Sequence, residues 1–257
     1  MPATRSKLIA LCALALFAAA ACSSGGATAS SPTAASSPTA AAVDQAAGCN
    51  AVLSLNATQP PGSDPDGPTA TPEEIKDWAA QIDPVLTTAA TNAPADLAAS
   101  FAVLQAAIVG AKQGTPVAGD DPAINSALNT INASMYDNCG YQTVDVVNEG
   151  GKLTGAPTTL QAGPTMVKFS NSTDAETAGF VLLFARVKDG QTAALADLES
   201  GQVDINTVAD VLTAAQPMGS DPGYAAAELS AGHYVLLSPL GTPPEFTGTI
   251  GAEFVVR

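Results

Sequence analysis

The chain has 257 residues, with 24 Asp and Glu against nine Lys and Arg, and a formal net charge of −15. So acidic a surface repels nucleic acid and anionic headgroups, which excludes nucleic-acid binding and purely electrostatic attachment to a membrane. With 46% hydrophobic residues the chain nevertheless carries enough apolar material for one large or two small domains.

Arg5 and Lys7 precede an apolar run from Leu8 to Ala21 that ends in small residues. The run is shorter than the ~20 residues of a membrane span and has the form of a cleaved export leader. Cys22 follows, then Ser23-Ser24-Gly25-Gly26, and this junction resembles a bacterial lipobox, with Ala19 three places before the cysteine. The resemblance implies cleavage after Ala21 and a lipid bilayer held through acylated Cys22, outside the cytoplasm and anchored to the cell membrane. Two or more acyl chains anchor stably where one is marginal. The alternative is an ordinary secreted protein cut nearby; Cys12 is a poorer acceptor because Leu11 precedes it. Losing residues 1–21 removes two of the nine basic groups and no acid. The remaining 236 residues then carry seven basic against 24 acidic groups, a formal net charge of −17.

Residues 23–45 are almost all Ala, Ser, Thr, Pro and Gly, with one late acid and little to bury, so a lipidated, disordered tether is expected over 22–45. Residues 46–142 read as helical. Thr71-Pro72-Glu73-Glu74 has the pattern of a capping box with Pro at the first helical position. The helix it opens sets Ile75, Trp78, Ile82, Val85 and Leu86 on one face, with Pro84 expected to kink it. A second helix opens near Pro94 and carries Leu97, Phe101, Leu104 and Ile108 as far as Gly114. A third opens at Asp121-Pro122 with Ile124, Leu128, Ile131 and Met135. Three amphipathic helices with short joints predict an up-down bundle.

Four cysteines are present. Cys12 leaves with the leader and Cys22 takes lipid, so Cys49 and Cys139 remain together in an oxidising compartment, where a disulfide is expected. It would tie the segment before the first helix to the end of the third. Its closed loop spans 90 residues; chain-entropy reasoning puts the stabilisation at roughly 4–5 kcal/mol at most. Two buried free thiols are the alternative. A metal site is disfavoured because no histidine lies near either cysteine.

From Thr143 to Arg257 alternation with Gly, Pro and Asn punctuation replaces helical spacing. Strands are expected at 143–148, 158–161, 165–170, 180–187, 224–229, 233–238 and 250–256. Turns fall at Gly150-Gly151, Gly163-Pro164, Asp189-Gly190 and Ala231-Gly232, and short helices at 192–199 and 205–214. Seven short strands in this order predict a β-sandwich. The fold class expected is thus α+β in two domains, a helical bundle over 46–142 and a sandwich over 143–257.

Candidate chemistry is sparse. His233 is the single histidine, near a turn and with no Gly-x-Ser-x-Gly elbow in the chain to give it a nucleophile; a strand histidine is the plainer reading. Gly-Ser-Asp-Pro occurs at 62–65 and again at 219–222. Asp64 and Asp66 fall far short of the 6–8 oxygens that calcium takes, and turn formation accounts for both copies.

Several phrases in the second half carry a family resemblance: Gly155 to Gly163, Val167 to Ser172, Phe180 to Gly190, Leu229 to Ser238, Pro243-Pro244-Glu245-Phe246 and Glu253 to Val256. In this order they resemble the cupredoxin-like domains of actinobacterial lipoproteins. The helical part between Cys49-Asn50-Ala51 and Asn138-Cys139-Gly140-Tyr141 resembles the domain that accompanies them, so the likeness covers nearly all of the chain after Cys22. It implies a mixed or antiparallel cupredoxin-like sandwich. A copper site in such a domain takes two His, a Cys and an axial Met. The matching positions here are Gly179 or Phe180, Ser238, Glu245 and Ile250, so neither a metal nor any other cofactor is expected. Ser238 and Glu245 would lie at one end of the sandwich as a small polar pocket, with His233 a further candidate. The role implied is non-catalytic binding of an envelope protein or small ligand, through the sandwich loops or the joint between domains. Copper binding with electron transfer is the alternative.

Overall fold

The computed structural model describes residues 43–62, 68–172, 177–192, 194–243 and 245–257. The expected leader, Cys22, almost all of the tether, and Asp64 and Asp66 lie outside the described residues.

The first helix is one that the hydrophobic spacing does not announce. α1 spans Gln45–Asn56, its N-terminus closed by Asp44, whose side chain accepts from the Ala47 N–H. It takes in the last residue of the expected tether and much of the segment expected merely to precede a helix. Its interior glycine, Gly48, permits close packing: a Cβ there would lie 2.9 Å from the Asn92 carbonyl oxygen. α2 spans Pro72–Thr91 and begins in the expected capping box. Thr71 Oγ1 accepts from the Glu74 N–H and Glu74 Oε2 accepts from the Thr71 N–H at 2.7 Å. That second bond, with help from the Thr71 hydroxyl, holds the Glu74 carboxyl below its ordinary range. The helix continues through Pro84 as one element. A short 3-10 turn, Ala95–Leu97, leads into α3 at Ala98–Ala111, and α4 follows at Pro122–Asn138. Asp121 caps α4 by accepting from the N–H groups of Ala123 and Ile124. Each helix packs on the next in sequence. Among the described residues no helix is long and apolar enough to cross a membrane.

Among the described residues nine strands follow. They are β1 Gln142–Asn148, β2 Leu153–Thr154, β3 Thr159–Leu160, β4 Gly163–Asn171, β5 Leu182–Val187, β6 Ala209–Ala215, β7 Gly223–Leu229, β8 Gly232–Thr242 and β9 Glu245–Val256. Two short helices, α5 Leu195–Glu199 and α6 Ile205–Val208, lie between β5 and β6. The reading of 205–214 as one helix is corrected. Only its first turn is helical, and from Ala209 the chain pairs antiparallel with β5, burying Ala209, Thr213 and Ala215. Gly163-Pro164 is likewise no turn but the start of β4.

The strands form two sheets, ordered β2-β1-β4-β7 and β3-β9-β8-β5-β6. Both mix pairing directions: β1 runs parallel to β4 and β3 parallel to β9, and the other pairs are antiparallel. Val146, Val167, Phe169 and Leu229 of the first sheet share a core with Phe184, Tyr234, Leu236 and Phe254 of the second. The two sheets therefore pack face to face, each large side chain contributing roughly 1.5–3 kcal/mol on burial. The first sheet's other face lies against the helices, since Met166 and Ala226 belong to the helical core. The second sheet's other face is covered by α5 and α6, with Leu198, Ala209, Val235 and Leu237 buried between.

The chain is thus α+β, and residues 42–257 form one compact unit. The boundary expected at 142/143 falls just inside β1, after its first residue, and polar bonds stitch the helices to the sheet. Asn129 accepts from the Tyr224 N–H at 2.7 Å and donates to the Pro222 carbonyl. Asn132, buried, donates to the Tyr224 carbonyl and exchanges bonds with Asn56. Tyr136 donates to Asp145 at 2.8 Å and meets the Tyr224 ring edge-on.

Candidate functional site

Cys49 and Cys139 form a disulfide, with their Cα atoms 5.8 Å apart. It joins α1 to the C-terminal cap of α4, so the bridge links two helices rather than a helix and a loose strand of chain.

The polar residues of the sandwich are not brought together. Ser238 sits on β8 opposite Ile250 and is fully buried between the sheets. Glu245 opens β9 opposite Thr242, four residues further along β8, and is exposed. At ~3.3 Å per residue that is about 13 Å along the strand. His233 lies near the other end of β8, opposite Val255, exposed and without a hydrogen-bond partner among the described residues. It faces a separate cleft of about 400 Å³ with Lys188, Gln191 and Glu253.

Nor do the residues at the positions implied for copper fit that metal. Gly179 brings no donor, and a Cβ built on it would overlap Ser238 Oγ and lie 2.7 Å from Phe169 Cζ. The space is filled by a ring and a hydroxyl, and the hydroxyl, which has no hydrogen-bond partner among the described residues, is a poor stand-in for a thiolate. Ile250 offers only carbon. Among the described residues no three His, Cys, Asp or Glu converge on one point.

The concavity with the properties of a binding site lies elsewhere, in the helical layer beside the disulfide. It encloses about 340 Å³, and its floor is Val52, Ala89, Leu97, Phe101, Ile131 and Met135, drawn from α1, α2, the 3-10 turn, α3 and α4. Its rim is polar: Gln45, Asn92, Ser134 and Asn138. Helix geometry places this rim. Gln45 opens α1, Asn92 caps α2, and Ser134 and Asn138 stand four apart on α4. The rim is braced as well. The Asp44 N–H donates to Asn92 Oδ1 at 3.0 Å, Gln45 Nε2 donates to the Asn138 carbonyl, and Asn138 Nδ2 donates to the Ser134 carbonyl at 2.8 Å. An apolar floor with a few oriented polar groups is the usual constitution of a small-molecule site, and this volume falls at the lower end of the ~300–1,000 Å³ such sites span. Sequence reasoning placed ligand binding in the sandwich loops or the joint and missed this cleft. The one signal pointing to it was the Cys49–Cys139 pairing, which draws its two walls together.

No protein-family model matches the chain, and no curated protein matches it significantly.

Proposed function

We propose that the chain is an extracytoplasmic lipoprotein, anchored through lipid on Cys22, whose folded part is a non-catalytic binding protein. Its sandwich is cupredoxin-like but copper-free, and its ligand site is the cleft beside the disulfide. The observation that carries the binding reading is that cleft, an apolar floor under a braced polar rim. Two face-to-face sheets of mixed pairing support the cupredoxin-like reading. The non-catalytic reading is supported by the isolation of His233, since a general base needs a nucleophile within hydrogen-bond reach and a group to orient it.

Two measurements test this. The lipidated chain is expected to partition into the detergent phase and Cys22→Ser to abolish that. The neutral probe N-phenyl-1-naphthylamine is expected to bind saturably, and Ala93→Trp, a change at a half-buried position lining the cleft, to weaken it at least tenfold. Stoichiometric copper with a strong visible absorption band would overturn the proposal in favour of electron transfer.

A further inference from the structure

The cleft's rim specifies a ligand head as well as a tail. None of the described residues lining it carries a charge. This neutrality stands out in a chain with 24 acidic residues. An anionic head would find no cation to pair with in the cleft and would meet a repulsive field outside it. A cationic head would find no carboxylate among the described lining residues, and Asp44 beside the rim turns a carboxylate oxygen to the Ala47 N–H. What the rim does offer is hydrogen-bond acceptors. Gln45 uses its Nε2 on the Asn138 carbonyl, and Asn138 uses its Nδ2 on Ser134. Neither Gln45 Oε1 nor Asn138 Oδ1 has a partner among the described residues, and both side chains are exposed at the mouth. Two amide oxygens held in place call for donors, and an uncharged group that supplies donors is a hydroxyl.

Below them the floor is hydrocarbon. At roughly 30 Å³ for a water-sized group, the cleft holds about eleven such groups, the scale of a single medium-length alkyl chain. From the apolar floor, the neutral rim and the two available acceptors we infer that the cleft takes one acyl chain with an uncharged, hydroxyl-bearing head, the chemistry of a monoacylglycerol or a neutral glycolipid. This rests on the reading of the cleft as a ligand site.

The test is calorimetric titration of the full chain carrying Cys22→Ser with monolauroylglycerol and with laurate, both below their micelle concentrations. The two probes share a tail and differ in head. Monolauroylglycerol is expected to bind at least tenfold more tightly than laurate. The double variant Gln45→Ala/Asn138→Ala is expected to erase that preference, so that the two probes bind it equally, with circular dichroism checking that the helices persist. Laurate binding as tightly as monolauroylglycerol, or a preference that survives in the double variant, overturns the inference about the head and leaves the cleft as an apolar site. If neither probe binds, the reading of the cleft as a ligand site fails with it.

Discussion

Gly179 and Ser238 meet between the two sheets, and each limits what the other can be. The Ser238 hydroxyl is fully buried with no hydrogen-bond partner among the described residues, a situation that carries a desolvation cost of about 1–3 kcal/mol. Ser238→Ala is therefore expected to raise stability by roughly 1 kcal/mol, because it removes the unpaired group and opens only a small gap. Gly179→Ala should do the reverse: its Cβ would press on that hydroxyl and on Phe169, and overpacking of this kind costs about 1–3 kcal/mol. Urea denaturation of the two single variants and the double checks the pair. The effects should fail to add, since the methyl and the hydroxyl contend for the same space; strict additivity would show that they do not touch. Sequence reasoning picked out both positions through a family pattern, but it could not see that Phe169 closes the space between them, because packing across two sheets leaves no mark on the spacing along one strand.

Helices α2 and α4 were legible because the sequence marks their starts, and α3 from the spacing of Phe101, Leu104 and Ile108. Thr71 and Glu74 form the reciprocal bonds that their spacing promises, and Asp121 and Pro122 cap and open α4 as their identities suggest. α1 was not legible: Gly48 and Asn50 interrupt it, and its apolar residues make no distinct stripe. Its stability comes from packing on α2 and from the bond to α4, both tertiary. β6 was hidden for a similar reason. The Ala-rich run from Ala209 to Ala215 suits a helix locally, and antiparallel pairing with β5 overrides that preference. If α1 depends on its bond, Cys49→Ala/Cys139→Ala should lower unfolding stability by up to roughly 4–5 kcal/mol. It should also expose the α1 amides to hydrogen exchange before those of α3. Exchange of α1 and α3 at the same rate in the variant would show that α1 holds its place without the disulfide. The variant should lose the cleft as well, because Cys49 and Cys139 both line it.

The molecule is built in layers: helices, first sheet, second sheet, and the short helices α5 and α6. The seam between the helices and the first sheet is polar, and it leaves no mark in the sequence, since Asn129, Asn132 and Tyr136 read simply as one side of α4. In the fold that side meets the outward face of the first sheet, where Lys168 lies 5.9 Å from the centre of the Tyr136 ring and Asp145 accepts a hydrogen bond from the Tyr136 hydroxyl. Burial, then the hydrogen bond to Asp145, pushes the Tyr136 phenol above its ordinary value of 10.0. Burial and the nearby Glu228 carboxylate do the same to Tyr141, whose hydroxyl donates to Asn50 on α1. Both folded-state values are raised, so below pH about 10 the folded and unfolded chains hold these protons equally and the seam keeps its full strength. As pH rises past that point the unfolded chain releases its phenol protons first, so stability falls until the folded-state values are passed. As pH rises above about 10 the urea midpoint should therefore drop. Tyr136→Phe and Tyr141→Phe should each flatten that slope while lowering the midpoint at pH 8, where only the hydrogen bond is lost. A double variant with the same alkaline slope as the parent would place the titrating groups elsewhere and leave the seam without a part in the pH response.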